Sequence, residues 1–198
     1  MTRVVALTGS VAAGKSSVGE LFRAWGATLI DADALVREMQ RPGQPVFDAI
    51  VHAFGAGVLD AHGELDRAAM RDRILTNRDA KQRLEAIVHP AVELRRRALI
   101  DAARARGETI VIADIPLLFE AADPAAYDGV IVVDAPLAER RRRLMQDRGL
   151  RAHDADRLIA AQLPASEKRA RATWIIDNDG DRATLELRAR TVWDALHH

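Results

Sequence analysis

The stretch Gly9-Ser10-Val11-Ala12-Ala13-Gly14-Lys15-Ser16 reads G-x-x-x-x-G-K-[ST], the pattern of a phosphate-binding loop. It constrains its surroundings, because the loop works only between a strand and a helix. An apolar run, Val4-Val5-Ala6-Leu7, precedes it, and Val18, Leu21, Phe22 and Trp25 follow at the spacing of one helical face. With 12 Gly among 198 residues, the four fixed positions fall in register by chance roughly once in a thousand such chains. Gly9, the amides of Ala12, Ala13, Gly14, Lys15 and Ser16, and the adjacent Ser17 form the expected nucleotide-binding set. Amides converging at a helix N-terminus suit phosphate oxygens. Lys15 is expected to neutralise the β- and γ-phosphates of ATP, and the Ser16 hydroxyl to hold Mg²⁺.

Length and charge narrow the class. The 198 residues suit one domain, with 48% hydrophobic residues to build a core. Lys plus Arg equal Asp plus Glu, which argues against a generic nucleic-acid binder. There is no cysteine, so disulfides, thiol catalysis and thiolate-bound zinc are excluded. No apolar run reaches transmembrane length and no leader precedes the first strand, so a soluble cytoplasmic protein without a membrane partner is expected. Oligomeric state is not legible.

Further strands are readable downstream. Ala27 to Ile30 forms a short strand ending at Asp31-Ala32-Asp33, where carboxylates at a strand's carboxyl end can face a ligand. Asp33 begins the next helix, as a functional carboxylate or as an N-cap. A helical block follows from Pro45 to Arg106, with Asp66 and Asn77 as expected N-caps. His89-Pro90 should kink its long final helix or start a new one. The block is far longer than a crossover needs, which suggests an acceptor-binding insertion. Thr109–Asp114 and Gly129–Asp134 read as buried parallel strands. Asp114 either orients a metal or only ends its strand. Pro136 opens an arginine-rich helix bearing Arg140, Arg141, Arg142 and Arg143. Trp174 to Asp177 is a fifth strand, and the last helix should bury Leu185, Leu187, Val192 and Leu196. The expectation is therefore an α/β fold: a five-stranded parallel sheet of the P-loop nucleotide-kinase type. It is one domain over 1–198, with a helical acceptor subdomain near 42–106 and a small lid near 137–165. A GTP switch is disfavoured, because none of the three lysines follows an asparagine.

These pieces, taken in order, resemble the dephospho-CoA kinase family. The resemblance runs from about Val4 to Gly180 and rests on the phosphate loop, Asp31-Ala32-Asp33, Gly63 to Arg67, His89-Pro90, Pro116 to Glu120, Gln162 and Ile176 to Gly180. It implies transfer of the ATP γ-phosphoryl group to the ribose 3′-hydroxyl of 3′-dephospho-CoA, giving CoA and ADP. Asp33 matches the family's proposed base. Asp31, Arg67, His89, Leu117, Leu118, Phe119 and Glu120 would belong to the acceptor side, and Asn178 and Gly180 to the adenine side. Arg140 and Arg143 are the implied charge-stabilising residues, with Arg148 a further candidate. Two departures stand out. Ser10, Ala12 and Ala13 replace the family's usual Gly, Gly and Ser, so Ala12 requires either an ordinary backbone or a strained loop. Asp147-Arg148 reverses the usual Arg-Asp.

Overall fold

The computed structural model describes residues 1–198. It contains two compact units: a sheet unit, Met1–Asp31 with Ile100–His198, and a helical unit, Ala32–Leu99.

In the sheet unit, β1 (Arg3–Gly9) leads through the glycine loop into α1 (Lys15–Ala24) and then β2 (Thr28–Asp31). In the helical unit, α2 (Ala32–Met39), α3 (Pro45–Phe54) and α4 (Arg67–Thr76) follow. The long α5 (Arg78–Ala105) starts there and leads back to the sheet. The sheet unit then continues with β3 (Ile110–Asp114), α6 (Leu118–Ala121), β4 (Val130–Asp134), α7 (Leu137–Gln146), α8 (Ala152–Ala160), α9 (Ala165–Ala170), β5 (Trp174–Asp177) and α10 (Arg182–Ala195). All five expected strands form.

The sheet order is β2-β3-β1-β4-β5 and every pairing is parallel. The first strand is thus central. Every residue of β3 and β4 is buried, which is why both read as unbroken apolar runs ending in aspartate. The carboxyl ends of β1, β3 and β4 deliver Gly9, Asp114 and Asp134 to one edge, where parallel α/β sheets bind ligands.

The helix carrying the phosphate loop is anchored by aromatic packing. Phe22 is fully buried and its ring stacks 5.8 Å from Trp193 of α10. Trp25 completes the cluster, with the Arg190 guanidinium 3.8 Å above its ring. Leu187 does not join α10's core face, contrary to expectation; it is 69% exposed. Two residues beyond the buried Leu185 is roughly 200° around the helix, the far side.

The helical unit has its own core, built from Val46, Ile50, Phe54, Val58, Met70, Val88 and Val92. Asp66 caps α4 by accepting from the amides of Ala68 and Ala69, and Asn77 caps α5 by accepting from Ala80 at 3.0 Å. Pro90 does not break α5, which runs on for 28 residues. His89 and Pro90 are both exposed, so the proline ring and the freed carbonyl one turn back face solvent rather than a packed neighbour. No helix is long and apolar enough to cross a membrane.

Candidate active site

The phosphate loop takes its shape from short-range geometry and from three distant side chains. Gly14 precedes α1 with φ 94°, a conformation open mainly to glycine. A methyl group there would also lie 2.2 Å from Nδ2 of Asn178. Ala12 adopts φ 59° and is the single non-glycine residue with positive φ. The strained alternative for this loop is therefore the real one, at a cost of about 1–2 kcal/mol.

Carbonyls on the outer side of the bend are pinned. Asn178 donates from Nδ2 to the Ala13 carbonyl at 2.8 Å, and Arg143 donates to the Ala12 carbonyl at 3.2 Å. Gln162 Oε1 accepts from the Val11 amide at 2.8 Å. Ala13 donates its amide back to Ser10. None of the turn bonds uses the amides of Ala12, Gly14, Lys15 or Ser16, and no side chain caps α1. A helix N-terminus with uncapped amides and a partial positive charge is an anion site. Ser16 and Ser17 are exposed beside it.

Lys15, in the first position of α1, pairs with Asp114 at the end of β3. The pairing offsets the buried charge of Asp114, which is only 6% exposed. Asp31 ends β2 directly in register with Asp114, so two carboxylates close adjacent strands. On the other side of β1, Asp134 accepts from the Ser10 hydroxyl at 3.2 Å. Arg169 ties Asp134 to Asp177 across the ends of β4 and β5.

The four consecutive arginines of α7 divide by direction. Arg140 is buried and donates to the Ala135 carbonyl at 3.1 Å. Arg141 reaches Asp156 of α8 at 2.7 Å. Arg142 pairs with Glu139, and this bond is the main cause that holds the Glu139 carboxyl at about 2. Arg143 alone turns to the phosphate loop, donating to Ala12 and to the Asn178 carbonyl while Glu139 steadies its Nε. Arg148 is exposed beyond the helix end. Helix α7 begins at Leu137, with Pro136 at the cap position rather than inside the first turn.

The Pro116–Glu120 segment has contacts that the sequence did not announce. Leu118 is fully buried and Leu117 is exposed. Phe119 lies under the Arg171 guanidinium. Glu120 accepts from the Leu163 amide at 3.1 Å. It also ion-pairs at 2.9 Å with Lys168, which is wholly buried and makes the pair without hydrogen-bond geometry. The one hint of this lysine's role was its rarity, since the chain has 29 Lys plus Arg but few lysines. Gly180 is exposed and packs against Thr184.

In the helical unit, Asp33 is exposed in the first turn of α2, two residues inside the position a capping aspartate would occupy. Arg67 is the first residue of α4, and His89 lies midway along α5.

Residues 3–184 match the family description dephospho-CoA kinase. The chain belongs to the dephospho-CoA kinase family. A relative from Corynebacterium diphtheriae bearing that name is 40% identical over 191 residues, spanning 96% of both chains. One from Anaeromyxobacter dehalogenans with the same name is 46% identical over 187 residues, covering 94% of this chain and 89% of its own. Among solved structures, a Thermus thermophilus protein superposes with a TM-score of 0.83 at 32% identity, over 98% of this chain and 97% of its own. The dephospho-CoA kinase of Campylobacter jejuni shares the fold, with a TM-score of 0.75 at 24% identity over 99% and 98%.

Proposed function

We propose that this member of the family transfers the γ-phosphoryl group of ATP to the ribose 3′-hydroxyl of 3′-dephospho-CoA, yielding CoA and ADP in the cytoplasm. The observation that carries the donor half is the phosphate loop, with unused amides at the head of α1 and Lys15 beside them. Family membership along nearly the whole chain carries the acceptor half.

Phosphoryl transfer asks a protein mainly for positioning and charge stabilisation. The amides of Ala12, Gly14, Lys15 and Ser16 bind the β- and γ-phosphate oxygens. Lys15 moves from Asp114 to the phosphates, adding charge where the transition state carries it. Arg143 is the arginine best disposed to share this task, since its guanidinium already lies against the loop. Arg140 supports α7 from within. Asn178 acts on the loop rather than on a base alone, because its amide fixes the Ala13 carbonyl.

Asp33 is the general base. A ribose hydroxyl is a poor nucleophile until a carboxylate accepts its proton. Its place two residues past the end of β2, exposed at a helix start, supports this role.

The residues also fit Mg²⁺. That ion keeps several waters and takes one or two protein oxygens beside the phosphates, rather than a full protein cage. Ser16 at the head of α1, and Asp31 and Asp114 at the ends of β2 and β3, offer hard oxygens of this kind and no soft ligands. When bound, Mg²⁺ supplies charge neutralisation across the β- and γ-phosphates.

Asp33→Asn tests the reading. The substitution keeps shape and removes the base, so turnover of dephospho-CoA is expected to fall by roughly 10²–10⁴, with ATP binding retained in a titration. Near-normal turnover would reduce Asp33 to a structural residue of α2.

A further inference from the structure

The buried lysine of α9 has so far been given no role. Lys168 has no solvent exposure, and its ammonium lies 2.9 Å from Oε1 of Glu120. Its Nζ carries three N–H groups and makes no hydrogen bond. Burying an ammonium is costly, and a single ion pair seldom offsets that cost; an apolar side chain of similar length would pack at least as well. The lysine therefore does something other than fill space, and its partner shows what. The same Oε1 of Glu120 accepts from the Leu163 amide at 3.1 Å. Leu163 follows Gln162, whose Oε1 accepts from the Val11 amide at 2.8 Å. Pro164 comes next, and its carbonyl accepts from the Lys168 amide at 3.2 Å, so backbone and side chain of one lysine close on the same turn.

A second route runs from the same helix. Arg169 pairs with Asp134 at 3.4 Å, and Asp134 accepts from the Ser10 hydroxyl at 3.2 Å. Two neighbouring residues of the six-residue α9 thus reach two neighbouring residues of the phosphate loop, Val11 and Ser10. No turn bond takes the Val11 amide, so Gln162 alone decides where that peptide points. We infer that Lys168 and Glu120 are positioning residues of the donor site. Their pair fixes the Gln162–Pro164 turn, and through Gln162 it sets the curl of the loop around the phosphates. Glu120 on this reading serves the triphosphate, not the acceptor side that family resemblance implied for it. The inference rests on the loop holding ATP, as proposed above. Neither residue touches a substrate, and neither takes part in proton or phosphoryl transfer.

Binding and kinetics on the full chain test the assignment. Titration calorimetry reads the Kd for Mg·ATP without acceptor, and steady-state rates read the KM for dephospho-CoA at saturating ATP. Gln162→Met removes the accepting oxygen at constant length and should weaken ATP binding roughly three- to tenfold, the effect of losing one hydrogen bond. Lys168→Met and Glu120→Ala should each weaken it by more than about twofold and by no more than Gln162→Met does, with the acceptor KM within about twofold of the parent. Lys168→Met combined with Gln162→Met should match Gln162→Met alone within about twofold, because residues that act through one another do not add. A lysine that only held the fold together would not show this coupling. An ATP Kd within about twofold of the parent in both Lys168→Met and Glu120→Ala would overturn the assignment. So would an additive loss in the combined variant, or a rise confined to the acceptor KM in Glu120→Ala. If Lys168→Met does not fold, Lys168→Met combined with Glu120→Ala removes both charges and is read in its place. A chain that folds in neither form makes the pair structural, which also overturns the assignment. A parent that binds Mg·ATP and forms no CoA would instead remove the acceptor half of the kinase reading.

Discussion

Ala12 shows how much a single backbone angle contributes. Its φ of 59° lies where a side chain meets its own carbonyl, yet the loop holds it there through Arg143 on its carbonyl and Asn178 on the next. Ala12→Gly should therefore raise the denaturation midpoint, by up to about 1 kcal/mol of stability, because relief of strain exceeds the extra chain entropy of glycine. Urea unfolding read by circular dichroism checks this, and a lower midpoint would mean that the angle carries no strain. The loop and its lysine were legible from spacing alone, since they are contiguous. The partners that shape it were not. Gln162, Asn178 and Arg143 reach it from more than 130 residues away, and nothing in local periodicity links them.

Elements were legible where one face is apolar or the whole run is buried, as in β3, β4 and α1. They were less so where charge dominates. Four arginines in α7 gave no direction until neighbouring carboxylates sorted them. Glu139 is central to that sorting, and the Arg142 bond, followed by its other arginine contacts, holds its carboxyl at about 2 against an ordinary 4.5. A depressed carboxyl stabilises the fold fully above its unfolded value and loses that contribution as pH falls through the folded value. The stability difference between the parent and Glu139→Gln should thus be constant from pH 7 to about 4.5 and vanish only toward pH 2, as read by thermal melts across pH. A difference already gone by pH 4 would exclude the pairing. For α1 the decisive contact is aromatic. Phe22→Ala removes a fully buried ring stacked on Trp193 and should cost about 3–5 kcal/mol, measured by denaturant unfolding. A loss under 1 kcal/mol would mean that α10 does not anchor this helix.

At the scale of the whole molecule, each unit has a separate core. The length of the excursion between β2 and β3 was the ground for expecting an insertion near 42–106, and the helical unit spans Ala32–Leu99. A ligand that binds only the folded chain stabilises it by mass action. Mg·ATP at a hundred times its Kd should therefore add about 2.7 kcal/mol, visible as a rise in Tm. Lys15→Ala should abolish most of that rise, and an equal rise in the variant would exclude Lys15 from phosphate binding. The central place of β1 has a temporal corollary. That strand is synthesised before its flanking strands β3 and β4, which come more than a hundred residues later, and Asn178 comes later still. A growing polypeptide therefore carries its glycine bend without these supports for more than a hundred residues of synthesis, and the grip on a triphosphate is complete only once Asn178 has emerged.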